Sequence, residues 1–191
     1  MVCERKRKTK MKKIILAVAI VCATAFAGAA TVGWSHAGLG NYVGDSYYVF
    51  VVGQNGVADI ATVTALLDAG EGFSSYVFGS GAVAANGTAT TAPATSGKTL
   101  DAGTYKAFTV VFNSAAPTAG ESQYLLISGQ PHQTQTVGAT TASVQFIAGN
   151  VSTLADNAAN WKDYGAAVPE PTSAMLLVLG VAALALRRKQ K

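Results

Sequence analysis

The sequence predicts a mainly β protein. The expected form is an antiparallel β-sandwich or jelly-roll-like domain with one short inserted helix, flanked by an N-terminal signal helix and a C-terminal transmembrane helix. Three observations carry this expectation. About six or seven short runs of β-branched, aromatic or alternating residues are separated by turn formers every ten to fifteen residues or so. A single stretch, between residues 57 and 70, shows helical spacing, so helices do not alternate with strands as a parallel α/β sheet would require. Uncharged apolar runs bordered by lysine or arginine stand near both ends of the chain.

Taken in order, Met11-Lys12-Lys13 precedes the run IILAVAIVCATAFAGA, giving a basic, then apolar, then small-residue order. That order is a secretory signal peptide, assigned to residues 1–30. The true start is expected at Met11, because MVCERKRKTK ahead of it adds only a basic cluster. Signal peptidase cleavage can follow Ala27 or Ala29, since each places small residues at both required positions. Thr31–Asp45 mixes turn formers with isolated aromatics and leads into the first strand.

Ser46–Gly53 (SYYVFVVG) is the strongest strand signal and, being apolar on both faces, a central strand. Gln54-Asn55-Gly56 is a turn. Ile60, Val63, Leu66 and Leu67 recur at helical spacing, with Asp59 placed to cap the start and Gly70 to end the helix. Strands follow at Ser75–Phe78 and within Gly81–Thr91, the latter divided by a hairpin turn at Asn86-Gly87. Ala92–Asp101 is a loop. In the strand Thr104–Phe112, Phe108, Val110 and Phe112 share one face, with Tyr105, Ala107, Thr109 and Val111 on the other.

Gln123–Ser128, Thr134–Val137 and Ser143–Ile147 give three more strands, and Asn157–Tyr164 one helical turn packing Trp161 and Tyr164. The exported domain is therefore bounded at residues 31–164. A faint echo joins Ser46, Tyr48, Gly53 and Gln54 to Ser122, Tyr124, Gly129 and Gln130 at a constant offset of 76. Either a duplication or a shared way of ending strands would produce it.

Residues 165–191 form the tail. Val168-Pro169-Glu170-Pro171 precedes an uncharged run ending at Leu186, and Arg187-Arg188-Lys189 then supplies a basic stop. In hydrocarbon such a run inserts as a helix, expected over residues 172–186. At about 1.5 Å per residue it spans roughly 22 Å, short of a hydrocarbon core of about 30 Å. The basic cluster holds the C-terminus on the cytoplasmic side. The two prolines fix an extended backbone just before the helix, a shape a protease can grip. This arrangement resembles the PEP-CTERM sorting signal of Gram-negative and related bacteria, with Val168, Pro169, Glu170 and Pro171 supplying the motif. The resemblance implies processing by exosortase, a membrane-embedded cysteine transpeptidase, after the protein has been inserted in the cytoplasmic membrane. It also implies a final cell-surface or extracellular location.

The net charge of +4 misleads, because 11 of the 14 basic residues lie at or before Lys13 or at or after Arg187. Between Thr31 and Val168 only Lys98, Lys106 and Lys162 stand against eight carboxylates, a net charge of −5. Such a surface argues against nucleic acid, whose backbone demands Lys and Arg. Both cysteines, Cys3 and Cys22, precede the domain, which excludes disulfides and cysteine chemistry from it.

His36 and His132 sit in loop-like contexts without metal-ligand spacing and are read as exposed side chains. No Gly-x-Ser-x-Gly elbow occurs, Ser96-Gly97-Lys98-Thr99 lacks the upstream glycine of a phosphate loop, and no pair of acids stands out for glycoside hydrolysis. No cofactor or catalytic set is implied. Trp34 and Trp161 are the candidate sugar contacts. The function expected is that of an exported, non-catalytic surface or matrix protein. A carbohydrate- or exopolysaccharide-binding module is the alternative, and a secreted hydrolase comes third.

Overall fold

A computed structural model of the chain describes residues 28–165 except Pro131. The predicted signal helix, the Pro-Glu-Pro motif, the predicted transmembrane helix and the basic stop lie outside the described residues. Among those described, no helix is long and apolar enough to cross a membrane.

The domain is mainly antiparallel β with few helices, arranged as two sheets. The smaller is built around β1 (Ala30–Ala37), which pairs antiparallel with β4 (Ala89–Thr91) along one half and with β5 (Thr99–Leu100) along the other. On its other side β1 pairs with β9 (Ser143–Asn150) in parallel, the one departure from an all-antiparallel arrangement among the described pairs. The larger sheet runs β10 (Trp161–Asp163), β7 (Gln123–Ile127), β6 (Gly103–Phe112), β2 (Ser46–Val51) and β3 (Gly79–Ala82). The first half of β6 pairs instead with β8 (Thr134–Val137).

The alternation in β6 decides the layering. Phe108, Val110 and Phe112 point to one side and Ala107 and Val111 to the other, as the period of two dictates. The second side, with Val49, Val51, Leu125 and Ile127, shares one core with Ala30, Val32, Trp34, Val144 and Phe146 of the smaller sheet. The first side is covered by helix α1 (Ile60–Ala69) through Val63 and Leu67. Aromatic pairs fill that layer, with Phe50 stacked on Phe108 at 5.2 Å and Phe73 on Phe112 at 5.7 Å. The helix is capped as its sequence requires: Asp59 accepts from the Thr62 amide at 2.8 Å, and Gly70 takes the left-handed conformation at φ 69°.

Several boundaries differ from the sequence expectation. Thr31–Asp45 holds all but the first residue of the eight-residue strand β1, and a 3-10 turn at Gly40–Tyr42. Ser74–Tyr76 is a 3-10 turn instead of a strand. The Asn86-Gly87 turn exists, with the Gly87 amide donating to the Ala84 carbonyl at 2.8 Å. Its flanking strands β3 and β4 nevertheless belong to different sheets, so it makes no hairpin between them. The predicted loop after Thr91 contains the one-turn helix α2 (Pro93–Ser96) and β5. Near the domain's end a second one-turn helix, α3 (Ser152–Ala155), and a 3-10 turn at Ala158–Asn160 precede β10. The echo at offset 76 falls on β2 and β7, which flank β6 and are each followed by a positive-φ glycine, Gly53 at 85° and Gly129 at 74°.

Gly79 permits a close approach between the sheets. A Cβ at that position would lie 2.3 Å from Cη2 of Trp34, inside a packed core. Neither the β3 backbone nor the Trp34 ring is a flexible tip that can move aside. Gly79→Ala is expected to destabilise the domain by about 1–3 kcal/mol, in line with overpacked cores, measured as a shift of the urea midpoint.

Candidate functional site

Polar side chains meet between the two sheets. His36, on β1, was expected in a loop and exposed; it is 2% exposed and faces the same side as Ala30, Val32 and Trp34. Its Nδ1 lies 3.3 Å from the Ala89 carbonyl, and its Nε2 lies 2.7 Å from Thr109 Oγ1 on β6. A carbonyl only accepts, so Nδ1 carries the proton and Nε2 accepts from the Thr109 hydroxyl. Burial disfavours the cation and pushes the imidazole down to about 4, against a smaller opposing effect of the Ala89 bond. The ring is a neutral cross-link, and both of its nitrogens are satisfied. His132 is exposed, as expected, with φ 62°.

A second polar link lies beside it. Trp34 Nε1 donates to the Tyr47 hydroxyl at 3.2 Å, and that hydroxyl is 3.3 Å from Thr91 Oγ1. Trp34, the other candidate sugar contact, is only 2% exposed, with its ring packed into the core. It lines a cavity of about 400 Å³ together with Ser80, Thr91, Thr95 and Lys98. The Lys98 ammonium sits 5.9 Å from the centre of the Phe78 ring.

Trp161 is placed differently. Only partly buried, it packs on Tyr42 with ring centres 4.6 Å apart and planes at 33°. The pair borders a groove of about 220 Å³ together with Asn113, Gln123, Ala155, Asp156 and Ala158. These residues come from three separate parts of the chain, and sequence reasoning singled out only Trp161 among them for a site. Burial and the nearby Asp156 and Asp45 carboxylates raise the Tyr42 phenol above its ordinary value, so it remains a hydroxyl donor at neutral pH.

The structure thus separates the two tryptophans, one in the core and one beside a groove. Among the described residues, no three His, Cys, Asp or Glu side chains are grouped so as to hold a metal ion.

The comparison with protein families bears on the tail. Residues 167–189 match the model described as the PEP-CTERM protein-sorting motif. The chain carries a PEP-CTERM sorting motif. The matched span contains Val168-Pro169-Glu170-Pro171 and Arg187-Arg188-Lys189. A PEP-CTERM motif marks an exported protein whose sorting depends on exosortase, through a membrane-anchored C-terminal signal. No curated protein and no solved structure matches the chain.

The buried His36 gives the domain a pH response whose sign follows from its lowered value. Between the unfolded value of about 6.5 and the folded value of about 4, the unfolded chain binds a proton that the folded domain refuses. Stability from this group is therefore fully present above about pH 6.5. It falls by about 1.4 kcal/mol per pH unit below that, to a total loss of about 3 kcal/mol near pH 4. Urea unfolding from pH 7.5 to 4 should show this slope. A His36→Gln variant, though less stable at pH 7, should lack it by comparison.

Proposed function

We propose that this is a non-catalytic cell-surface or extracellular-matrix protein. Its tail holds it in the cytoplasmic membrane until exosortase cuts at Val168–Pro171. The observation that carries the reading is the sorting motif standing directly behind a folded acidic β domain. The Gly165 amide still donates to the Leu67 carbonyl at 2.8 Å, so the domain is stitched together up to that residue. Three residues further on the motif begins, within about 11 Å along a fully extended chain. Cutting there would release the domain with almost no trailing linker.

Export requires removal of the signal peptide, and the fold favours one of its two candidate sites. Ala30 opens β1, is fully buried and pairs with Leu100. Cutting after Ala29 would create an ammonium at that buried position, which is costly without a partner. Cutting after Ala27 leaves the exposed Gly28 and Ala29 ahead of the strand.

A non-catalytic role is supported by what four of the domain's eight carboxylates do. Asp59 caps α1, Asp68 accepts from Tyr124, Asp156 from Asn41 and Asp163 from Gln123. Each is engaged in holding the fold. A second reading, a polysaccharide-binding module, is favoured by the partly exposed Tyr42–Trp161 pair beside a groove.

Deleting Pro169–Pro171 is expected to leave the protein in the membrane fraction with its tail attached, while the parent protein reaches the surface or the medium. Fractionation followed by immunoblotting reads the difference. Unchanged release of the deletion variant would contradict processing at this motif.

A further inference from the structure

Two aromatic rings beside the smaller groove are fastened at their polar ends to a single acceptor. The Tyr42 hydroxyl and the Trp161 Nε1–H both donate to the Ala155 carbonyl oxygen, each at 2.8 Å. The three residues come from the 3-10 turn after β1, the one-turn helix α3 and the edge strand β10. With their hydrogen-bonding groups turned into the protein, the rings present mainly apolar surface to the groove and lose little freedom when a ligand arrives. Such pre-organisation is what makes Tyr and Trp effective contact residues.

Hydrogen-bonding groups surround the rings at the groove's edge. Asp156 uses Oδ1 to accept from Asn41 at 3.0 Å, and among the described residues Oδ2 is left for a ligand. Asn113 uses its Oδ1 to accept from the Gln123 amide at 2.8 Å, which leaves its Nδ2 donors. Gln123 uses its Nε2 to donate to Asp163 at 2.9 Å, which leaves its Oε1 acceptor. An apolar platform edged by acceptors and a donor suits a pyranose ring, whose C–H face is apolar and whose equatorial hydroxyls both give and accept. Ligand pockets for larger organic molecules run about 300–1,000 Å³. A groove of about 220 Å³ is the size of a shallow single-ring subsite on a longer chain.

The charges narrow the class. Asp156 and Asp45 both act on Tyr42, and Asp163 stands two residues beyond Trp161 on the same face of β10. Lys162, the only cation on that strand, alternates to the opposite face. A uronate or sulfated sugar would meet this cluster as a like charge.

We propose that the Tyr42–Trp161 shelf is a binding subsite for an uncharged polysaccharide. This rests on the binding reading of the exported domain and is independent of how the tail is sorted.

The test uses the processed protein recovered from outside the cell, in affinity electrophoresis through gels containing a neutral β-glucan, a neutral galactomannan or polygalacturonate. The parent protein should be retarded by at least one neutral polymer and not by polygalacturonate. Trp161→Ala should weaken that retardation about ten-fold, the upper end of what an aromatic contact contributes. Trp161→Phe, which keeps a ring, should retain most of it, and Asp156→Asn should admit polygalacturonate. Should Trp161→Ala lower the melting temperature, Trp161→Phe and Asp156→Asn carry the test. A parent protein retarded by none of the polymers would remove the binding reading altogether. Retardation by a neutral polymer that survives Trp161→Ala would leave binding in place and overturn this site. Equal retardation by polygalacturonate would overturn the assignment to uncharged sugars.

Discussion

The hydrogen bond from Thr109 to His36 is the contact on which the relation of the two sheets depends. Apolar burial drives the sheets together, yet it is non-directional and leaves them free to slide. A bond of 2.7 Å between β1 and β6, in a site from which water is excluded, is not free in this way. It needs a neutral imidazole, and the Ala89 carbonyl on β4 fixes which nitrogen carries the proton. The Trp34–Tyr47–Thr91 chain repeats the principle one pair of residues earlier along β1. Every buried side-chain nitrogen or oxygen among the described residues has a partner, so the polar content of this core specifies geometry without leaving desolvated groups unpaired. The parallel pairing of β1 with β9 shifts register between Ser35 and His36, next to this contact.

Much of the fold was legible where local rules act alone. The caps of α1 follow from Asp59 and Gly70, and the two faces of β6 follow from alternation, because each depends on neighbours in sequence. β1 was obscured although its inward set, Ala30, Val32, Trp34 and His36, keeps a strict period of two. Gly33, Ser35 and His36 dilute its apolar character, so residue type hid what spacing showed. His36 itself could not be placed from its type, because a histidine is exposed unless tertiary partners satisfy it. An Asn-Gly turn fixes a reversal without saying which sheet each flanking strand joins, and β3 and β4 part company there. The groove beside Trp161 was half legible. Tyr42 and Trp161 were both visible as aromatics, with Trp161 preferred, while their meeting with Asn113 and Gln123 depends on long-range contacts.

These features fit a delivered module. The acidic domain packs a layer on each face of β6 and holds no cysteine between residues 31 and 164. Its ends suit transient attachment. Gly28 and Ala29, both exposed, stand directly ahead of β1, and Gly165, whose amide is bonded to the Leu67 carbonyl, stands four positions before Pro169. The brevity of the apolar run, together with the two prolines before it, accords with a tether meant to be removed.

The intact mass of the protein recovered from outside the cell measures both ends of the chain at once. The predicted value corresponds to a chain beginning at Gly28 and ending within residues 168–171, plus any group attached at the cut. A mass that still includes the residues through Lys191 would contradict removal of the tether, and with it the role assigned to the tail.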